Sequence, residues 1–299
     1  MSNNPSDEVA AGASATIAVL GPDHLGEGPV WDDRSGELLR VDISGRLVHR
    51  WNPATDEATS FATEGDVGAV VLCEDGGLMV AVECELWRVD TADQWTLVVE
   101  IEPRPGVRFN DCRADPRGRL WAGTLHRDRE PGQAALYRLD PGNTLTEVLP
   151  KRTISNGIGW SADGGTMYYI DSPTQRVVAF EYDLDSGELG GQHVFADIET
   201  TDGLPDGLTV DADGGVWVCL FGGGRIRRYR PDGSLDREIV LPLTNPTCPA
   251  FGGPDLGTLY ITTARHRLTA DQLAREPLAG ALLQLRPGVC GRPAYRFVP

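Results

Sequence analysis

A turn of Asp/Ser/Gly type, followed by an apolar pair and a second strand-like run, recurs six times along the chain. The copies read DDRSGELLRVDISGRLVHRW from Asp32, EDGGLMVAVECELWRVD from Glu74, DPRGRLWAGT from Asp115, SADGGTMYYIDSPTQRVVAFEYD from Ser161, DADGGVWVCLFGGGRIRRYR from Asp211 and GPDLGTLYITT from Gly253. Aligned on the apolar pair, Leu38, Leu78, Leu120, Met167, Val216 and Leu259 fall in register, at intervals of 40, 42, 47, 49 and 43 residues. A period of about 40–50 residues is that of a propeller blade, a unit too small to bury its own apolar face, which is stable only when neighbours stack on it. D-G-type turns supply the positive φ that tight hairpins need, and strand-type alternation fills the runs between them, as in RVVAFEY and GRIRRYR. The pattern predicts an all-β chain: a single six-bladed β-propeller over residues 15–299, preceded by a disordered leader over residues 1–14. The apolar run Ala15–Leu20 precedes the first full copy, where it is placed to pair with the last blade and close the ring. One helix is expected, Leu268–Arg275 within the last copy, stopped by Pro277.

Composition narrows the partners. The 36 glycines and 21 prolines are scattered along 299 residues, as befits a turn-rich fold. Lys+Arg total 27 against Asp+Glu 44, a net charge of −17. Phosphate backbones and anionic lipid would repel such a surface, which argues against nucleic acid and membrane and leaves neutral or cationic small molecules and metal ions. No run approaches the roughly 20 apolar residues that span a bilayer, and the N-terminus has no basic start followed by an apolar stretch. The six cysteines, Cys73, Cys84, Cys112, Cys219, Cys248 and Cys290, contain no CxxC pair, so they are expected as free thiols in a cytoplasmic protein and not as a zinc site.

Equivalent positions of radial repeats lie at equal height around the axis. Counting back 10 or 11 residues from each anchor selects Glu27, Val67, Asn110, Asn156, Asp206 and Cys248. Four of the six carry side-chain oxygen, and first strands line the channel of a propeller, so Glu27, Asn156 and Asp206 are expected to converge at its mouth. Two carboxylates and an amide oxygen suit a hard divalent cation completed by water or substrate. Adjacent glycines let the backbones approach closely. Asn-Gly and Asp-Gly are also ordinary turn dipeptides, and at the level of spacing both readings stay open. Other chemistries lack their signatures. His24, His49, His126, His193 and His266 show no HExxH pattern, no GxSxG elbow is present, and the Gly-rich run at Phe221 joins strands where phosphate cradling needs a helix. His24 and His126 could lie near the mouth but read better as solvated loop residues, and Arg225, Arg227 and Arg228 as solvated strand faces.

The ordered motifs GEGPVWDDRSGELLRVDI, RFNDCRADPRGRLWAGT, QAALYRL, ISNGIGWSADGGTMYYIDS, PDGLTVDADGGVWV and PTCPAFGG, from about Leu20 to the C-terminus, resemble the senescence-marker-protein/gluconolactonase family, which includes regucalcin and the luciferin-regenerating enzymes. The resemblance implies a six-bladed propeller with one divalent metal in its channel, held by Glu27, Asn156 and Asp206; calcium, zinc, manganese, magnesium and iron are all compatible with it. It also implies that Arg108 and Asn110 hold the ring oxygens of a sugar lactone. It places a substrate-contacting carboxylate at Asp128, with Glu130 as a competitor. The expected activity is metal-dependent opening of an aldonolactone, such as gluconolactone, to its aldonic acid. The cation would polarise the carbonyl, and Asp206 would act as general base or as ligand only. A non-catalytic calcium- or ligand-binding propeller and a metal-dependent esterase are the alternatives.

Overall fold

The computed structural model describes residues 14–90 and 94–299; the expected leader, residues 1–14, falls almost wholly outside them. The described chain forms six four-stranded antiparallel sheets. Blade 1 runs through Gly26–Asp32, Glu37–Asp42, Leu47–Asn52 and Glu57–Ala62, and blade 2 through Val67–Leu72, Leu78–Val82, Glu85–Val89 and Trp95–Glu100. Blade 3 comprises Val107–Ala114, Leu120–His126, Ala134–Asp140 and Thr144–Arg152, and blade 4 Ser155–Trp160, Thr166–Asp171, Arg176–Tyr182 and Leu189–Asp197. Blade 5 holds Leu204–Val210, Val216–Phe221, Arg225–Tyr229 and Leu235–Val240. Blade 6 takes Pro246–Gly252, Thr258–Thr263 and Leu282–Leu285 from the end of the chain and its outer strand, Thr16–Val19, from the beginning, pairing Thr16 with Gln284 and Ile17 with Leu283. The ring therefore closes as the sequence predicts. The α-helix among the described residues, Ala270–Arg275, lies in the last copy; it starts two residues after the expected Leu268, at a capping box between Thr269 and Gln272.

There is no single core. Six apolar clusters each fill one seam between adjacent blades, and each contains one of the six repeat anchors: Leu38, Leu78, Leu120, Met167, Val216 and Leu259. The repeat is thus a repeat of seams as much as of hairpins. In blades 3 and 5 the first turn is built by a buried aspartate. In blade 5, Asp211 Oδ1 accepts from the backbone N–H groups of Asp213 (3.0 Å) and Gly215 (2.8 Å), and its Oδ2 accepts from Trp217 Nε1 (2.8 Å). Asp115 does the same in blade 3, with Arg117 N, Arg119 N and Trp121 Nε1. Arg228, expected on a solvated face, is buried instead. Its guanidinium neutralises Asp211 at 2.7 Å and Asp236 at 2.9 Å, because an aspartate sealed under a hairpin needs a counter-charge. Arg227 pairs with Asp202 and Glu238. All six cysteines are free, five buried and Cys290 exposed. Among the described residues no helix is long and apolar enough to cross a membrane.

Candidate metal centre and substrate cavity

The innermost strand of every blade carries a register irregularity at the same phase. Its pairing with the second strand shifts between residues 27 and 30, 67 and 69, 109 and 112, 155 and 158, 205 and 208, and 246 and 249. A bulge bends its strand and re-aims the side chains beside it. These six bulges coincide with the positions selected by counting back from the anchors. Glycines follow them for a packing reason. A Cβ on Gly157 would stand 2.8 Å from the Asp206 carbonyl oxygen, and one on Gly207 would stand 2.4 Å from Cys248 Sγ. Inner strands of neighbouring blades thus approach to backbone contact around the channel.

A cavity of about 260 Å³ at one mouth of the channel is lined by Glu27, Arg108, Asn110, Asn156 and Asp206 together. Residues up to 179 positions apart in sequence are brought to one hollow. Arg108, Asn110, Asn156 and Asp206 are buried, while Glu27 keeps some exposure to the cavity. A hydrogen-bonded chain orders them. Arg108 Nη1 donates to Asn110 Oδ1 (3.0 Å), Asn110 Nδ2 to Asn156 Oδ1 (2.6 Å) and to the Ser155 carbonyl (2.9 Å), and Asn156 Nδ2 to Ser172 Oγ (2.8 Å). Asn156 Oδ1 is therefore oriented and retains a lone pair. Glu27 Oε2 accepts from Gly28 N at 2.9 Å, where the left-handed Gly28 (φ 52°) turns its amide back onto the side chain.

Neither Glu27 nor Asp206 is ion-paired with an arginine, lysine or histidine among the described residues. Burial, then the Asp111 charge, pushes Glu27 up to about 8. Burial, then the charges of Glu27 and Asp111, raise Asp206 well above the usual carboxylate range. Two mutually repelling, desolvated carboxylates are costly unless a cation or a proton joins them. Among the described residues no three His, Cys, Asp or Glu side chains form a metal-holding group. The hub offers two carboxylates and an amide, a donor set that fits a hard divalent cation.

Several lining residues differ from the sequence expectation. Asp128 and Glu130 are exposed and do not line the cavity, whereas Arg129 between them does. The turn after the second strand of blade 3 closes with Arg129 N donating to the His126 carbonyl (2.7 Å), and its left-handed φ of 59° reverses which side chain faces inward. His126, expected to be solvated, is 8% exposed, lines the cavity, and has no partner at Nδ1. His24 is exposed and packs edge-on against His266, another lining residue that the sequence did not flag, as are Arg127 and Arg267. Asp111, one residue beyond Asn110, is buried with neither carboxylate oxygen hydrogen-bonded and Arg113 Nε at 3.8 Å. The RFND motif carries it, but a strand that alternates regularly would turn it away from the channel. The other end of the channel opens into a second hollow of about 120 Å³. It is mostly apolar and covered by Arg292 and Tyr295 of the C-terminal segment.

The family model for the SMP-30/Gluconolactonase/LRE-like region matches residues 25–265. Regucalcin of Danio rerio is 38% identical over 278 residues, covering 91% of this chain and 94% of its own. The "Putative sugar lactone lactonase YvrE" of Bacillus subtilis (strain 168) is 37% identical over 281 residues, covering 92% and 94%. The solved structure of the calcium-binding protein regucalcin from Agrobacterium tumefaciens str. C58 superposes with a TM-score of 0.91 at 33% identity, over 96% of this chain and 97% of that one. That of a luciferin-regenerating enzyme gives 0.91 at 28% identity, over 96% and 100%. With the matched region running across the inner strands that carry Glu27, Asn156 and Asp206, the chain belongs to the SMP-30/gluconolactonase/LRE-like family.

Proposed function

We propose that the protein hydrolyses a sugar lactone to its aldonic acid with the help of one divalent cation. The observation that carries this is the meeting, in one cavity, of two carboxylates without cationic partners, an oriented amide oxygen and the Arg108–Asn110 donor pair. The family's gluconolactonase description and the lactonase name of the Bacillus relative support the same reading.

Glu27, Asn156 and Asp206 would hold the cation. When bound, it supplies Lewis-acid polarisation of the lactone carbonyl and charge stabilisation of the developing oxyanion. The chain's own residues do the rest. Arg108, fixed by its bond to Asn110 and by a second to the Phe109 carbonyl (2.6 Å), presents its remaining N–H groups to the hydroxyls of the sugar and to the carboxylate that forms. Asn110 locks the Asn156 amide so that its oxygen, and not its nitrogen, faces the hub. Asp206, without a side-chain hydrogen bond to any described residue, is the carboxylate free to take the proton of the attacking water at Oδ. The free thiols fit a reducing cytoplasm.

Glu27→Ala, Asn156→Ala and Asp206→Ala should each lose bound cation and lower lactone turnover by about a hundredfold or more, while keeping the native circular dichroism. Elemental analysis with pH-stat assays on glucono-, xylono-, arabinono- and galactonolactone, with chelation and metal add-back, measures both. Stoichiometric cation without any cation-dependent rate above the spontaneous one would replace the enzyme reading with that of a binding propeller.

A further inference from the structure

The mouth of the cavity is basic, although the whole chain carries −17. Arg108, Arg127, Arg129 and Arg267 line it, with His126 and His266 beside them. Two of the four arginines are neutralised from within: Arg127 Nη2 lies 2.9 Å from Asp66 Oδ2 and 2.7 Å from Glu83 Oε2, and Arg108 Nε lies 3.9 Å from Asp66 Oδ2. Arg129 and Arg267 have no carboxylate within 4.0 Å and no side-chain hydrogen bond among the described residues. They reach the same hollow from opposite sides of the ring, Arg129 from the turn after the second strand of blade 3 and Arg267 from the loop after the second strand of blade 6. Both sit in left-handed backbone, at φ 59° and 65°, a conformation uncommon for residues with a Cβ. The pair is repulsive. Burial, then the Arg267 charge, lowers the proton affinity of Arg129, while Asp206 opposes that shift. His266 does not share the positive charge, because burial, then His24 and the arginines, hold it down to about 4.

Two unpaired guanidinium groups over one cavity, in a chain with 44 acidic residues, are a site for a negative charge that comes from outside. We propose that the substrate lactone carries an anionic group, a carboxylate or a phosphate, on its carbon chain away from the ring carbonyl, and that Arg129 and Arg267 grip that group. The inference rests on the lactone-hydrolase reading of the hub and adds the substrate class to it. A guanidinium fork matches both carboxylate and phosphate oxygens. Arg108 and Asn110 are left for the hydroxyls in between.

The test compares gluconolactone, which is neutral, with glucarolactone, which bears a carboxylate, and phosphogluconolactone, using the metal-loaded wild type, Arg129→Gln, Arg267→Gln and the double variant. The ratio of kcat/KM on an anionic lactone to that on the neutral one should exceed about tenfold in the wild type. It should fall with added salt and collapse in the double variant, with Arg129→Lys recovering part of it. Which anionic lactone shows the preference distinguishes carboxylate from phosphate. A wild-type ratio of one or less, or a ratio that the double variant leaves unchanged, overturns the grip and leaves lactone hydrolysis standing. If no lactone is turned over, the hydrolytic reading fails, and calorimetry on the open-chain acids decides the grip separately. Tighter binding of glucarate or phosphogluconate than of gluconate, lost in the double variant, supports it; equal binding overturns it.

Discussion

Asn110 joins the two roles proposed for the cavity, since one side chain accepts from Arg108 and donates to Asn156 Oδ1. Asn110→Ala removes one hydrogen bond from each neighbour, leaving Arg108 with the Phe109 carbonyl and the Asn156 amide with Ser172 Oγ. Both are then held less firmly, so turnover should fall by about ten- to a hundredfold, through kcat and KM alike, with weaker cation binding in titrations. His266 permits a prediction on pH. Its folded-state pKa, lowered from 6.5 to about 4 by burial and by the neighbouring His24 and arginines, means that the unfolded chain binds the extra proton between those two values. Stability therefore rises with pH across that window and is fully present above 6.5. His266→Gln should flatten this part of the urea-midpoint profile between pH 4 and 6.5, and an unchanged slope would assign the acid sensitivity elsewhere. At this scale the sequence was informative wherever a residue sat on the repeat. Glu27, Asn110, Asn156 and Asp206 share a phase, and counting located them. Arg129 and Arg267 lie in turns that no repeat governs, where one left-handed residue decides whether Asp128 or Arg129 faces inward. Net charge averages over the whole surface, so it does not reveal the arginines that line the cavity.

A hairpin with a buried aspartate organises blades 3 and 5. In blade 5 the Asp211 side chain holds two backbone amides, the Trp217 indole and the Arg228 guanidinium at once, and it is fully buried. Asp211→Ala leaves Arg228 with Asp236 alone and strips the turn of its acceptors, so it should cost about 3–5 kcal/mol in urea unfolding. Exposed pairs such as Arg176–Asp197, at 53% and 68% side-chain exposure, should cost under about 1 kcal/mol when broken. A comparable small loss for both would mean that the buried pair is hydrated in solution. The D-x-x-G spacing made these turns readable, since Asp and Gly in fixed order have few conformations to choose from. It did not reveal Arg228, because the strand GRIRRYR alternates in a way that suits a solvated face equally well. Nor were the bulges readable as such. All six inner strands carry the same one-residue excess, so the bulge leaves no difference between copies for a sequence alignment to detect.

At the scale of the ring, the three proposed cation ligands come from blades 1, 4 and 5, and the last blade lies between two of those blades. Blade 6 touches blade 5 where Gly207 meets Cys248, and blade 1 where Thr247 Oγ1 donates to the Gly26 carbonyl at 2.6 Å. The span from Asp206 to Glu27 therefore runs across a sheet whose outer strand, Thr16–Val19, comes from the other end of the chain and is held to Leu282–Leu285 by strand pairing. Ala18 and Val19 also pack on the blade 6–blade 1 seam of Trp31, Leu38, Trp51, Tyr260 and Leu282. Removing residues 1–20 would open that seam and leave Leu282–Leu285 as an unpaired edge, a template for association with another chain. The truncated protein should melt lower and self-associate. If the proposed cation site is right, a divalent cation should also bind about tenfold or more weakly, because slack between blades 5 and 1 separates Glu27 from Asp206. Calorimetric titration of the truncated and full chains, below the melting temperature of both, measures this. A lower melting temperature with unchanged cation affinity would show that each ligand is held by its own blade; a joint loss would show that closure of the ring sets the geometry of the hub.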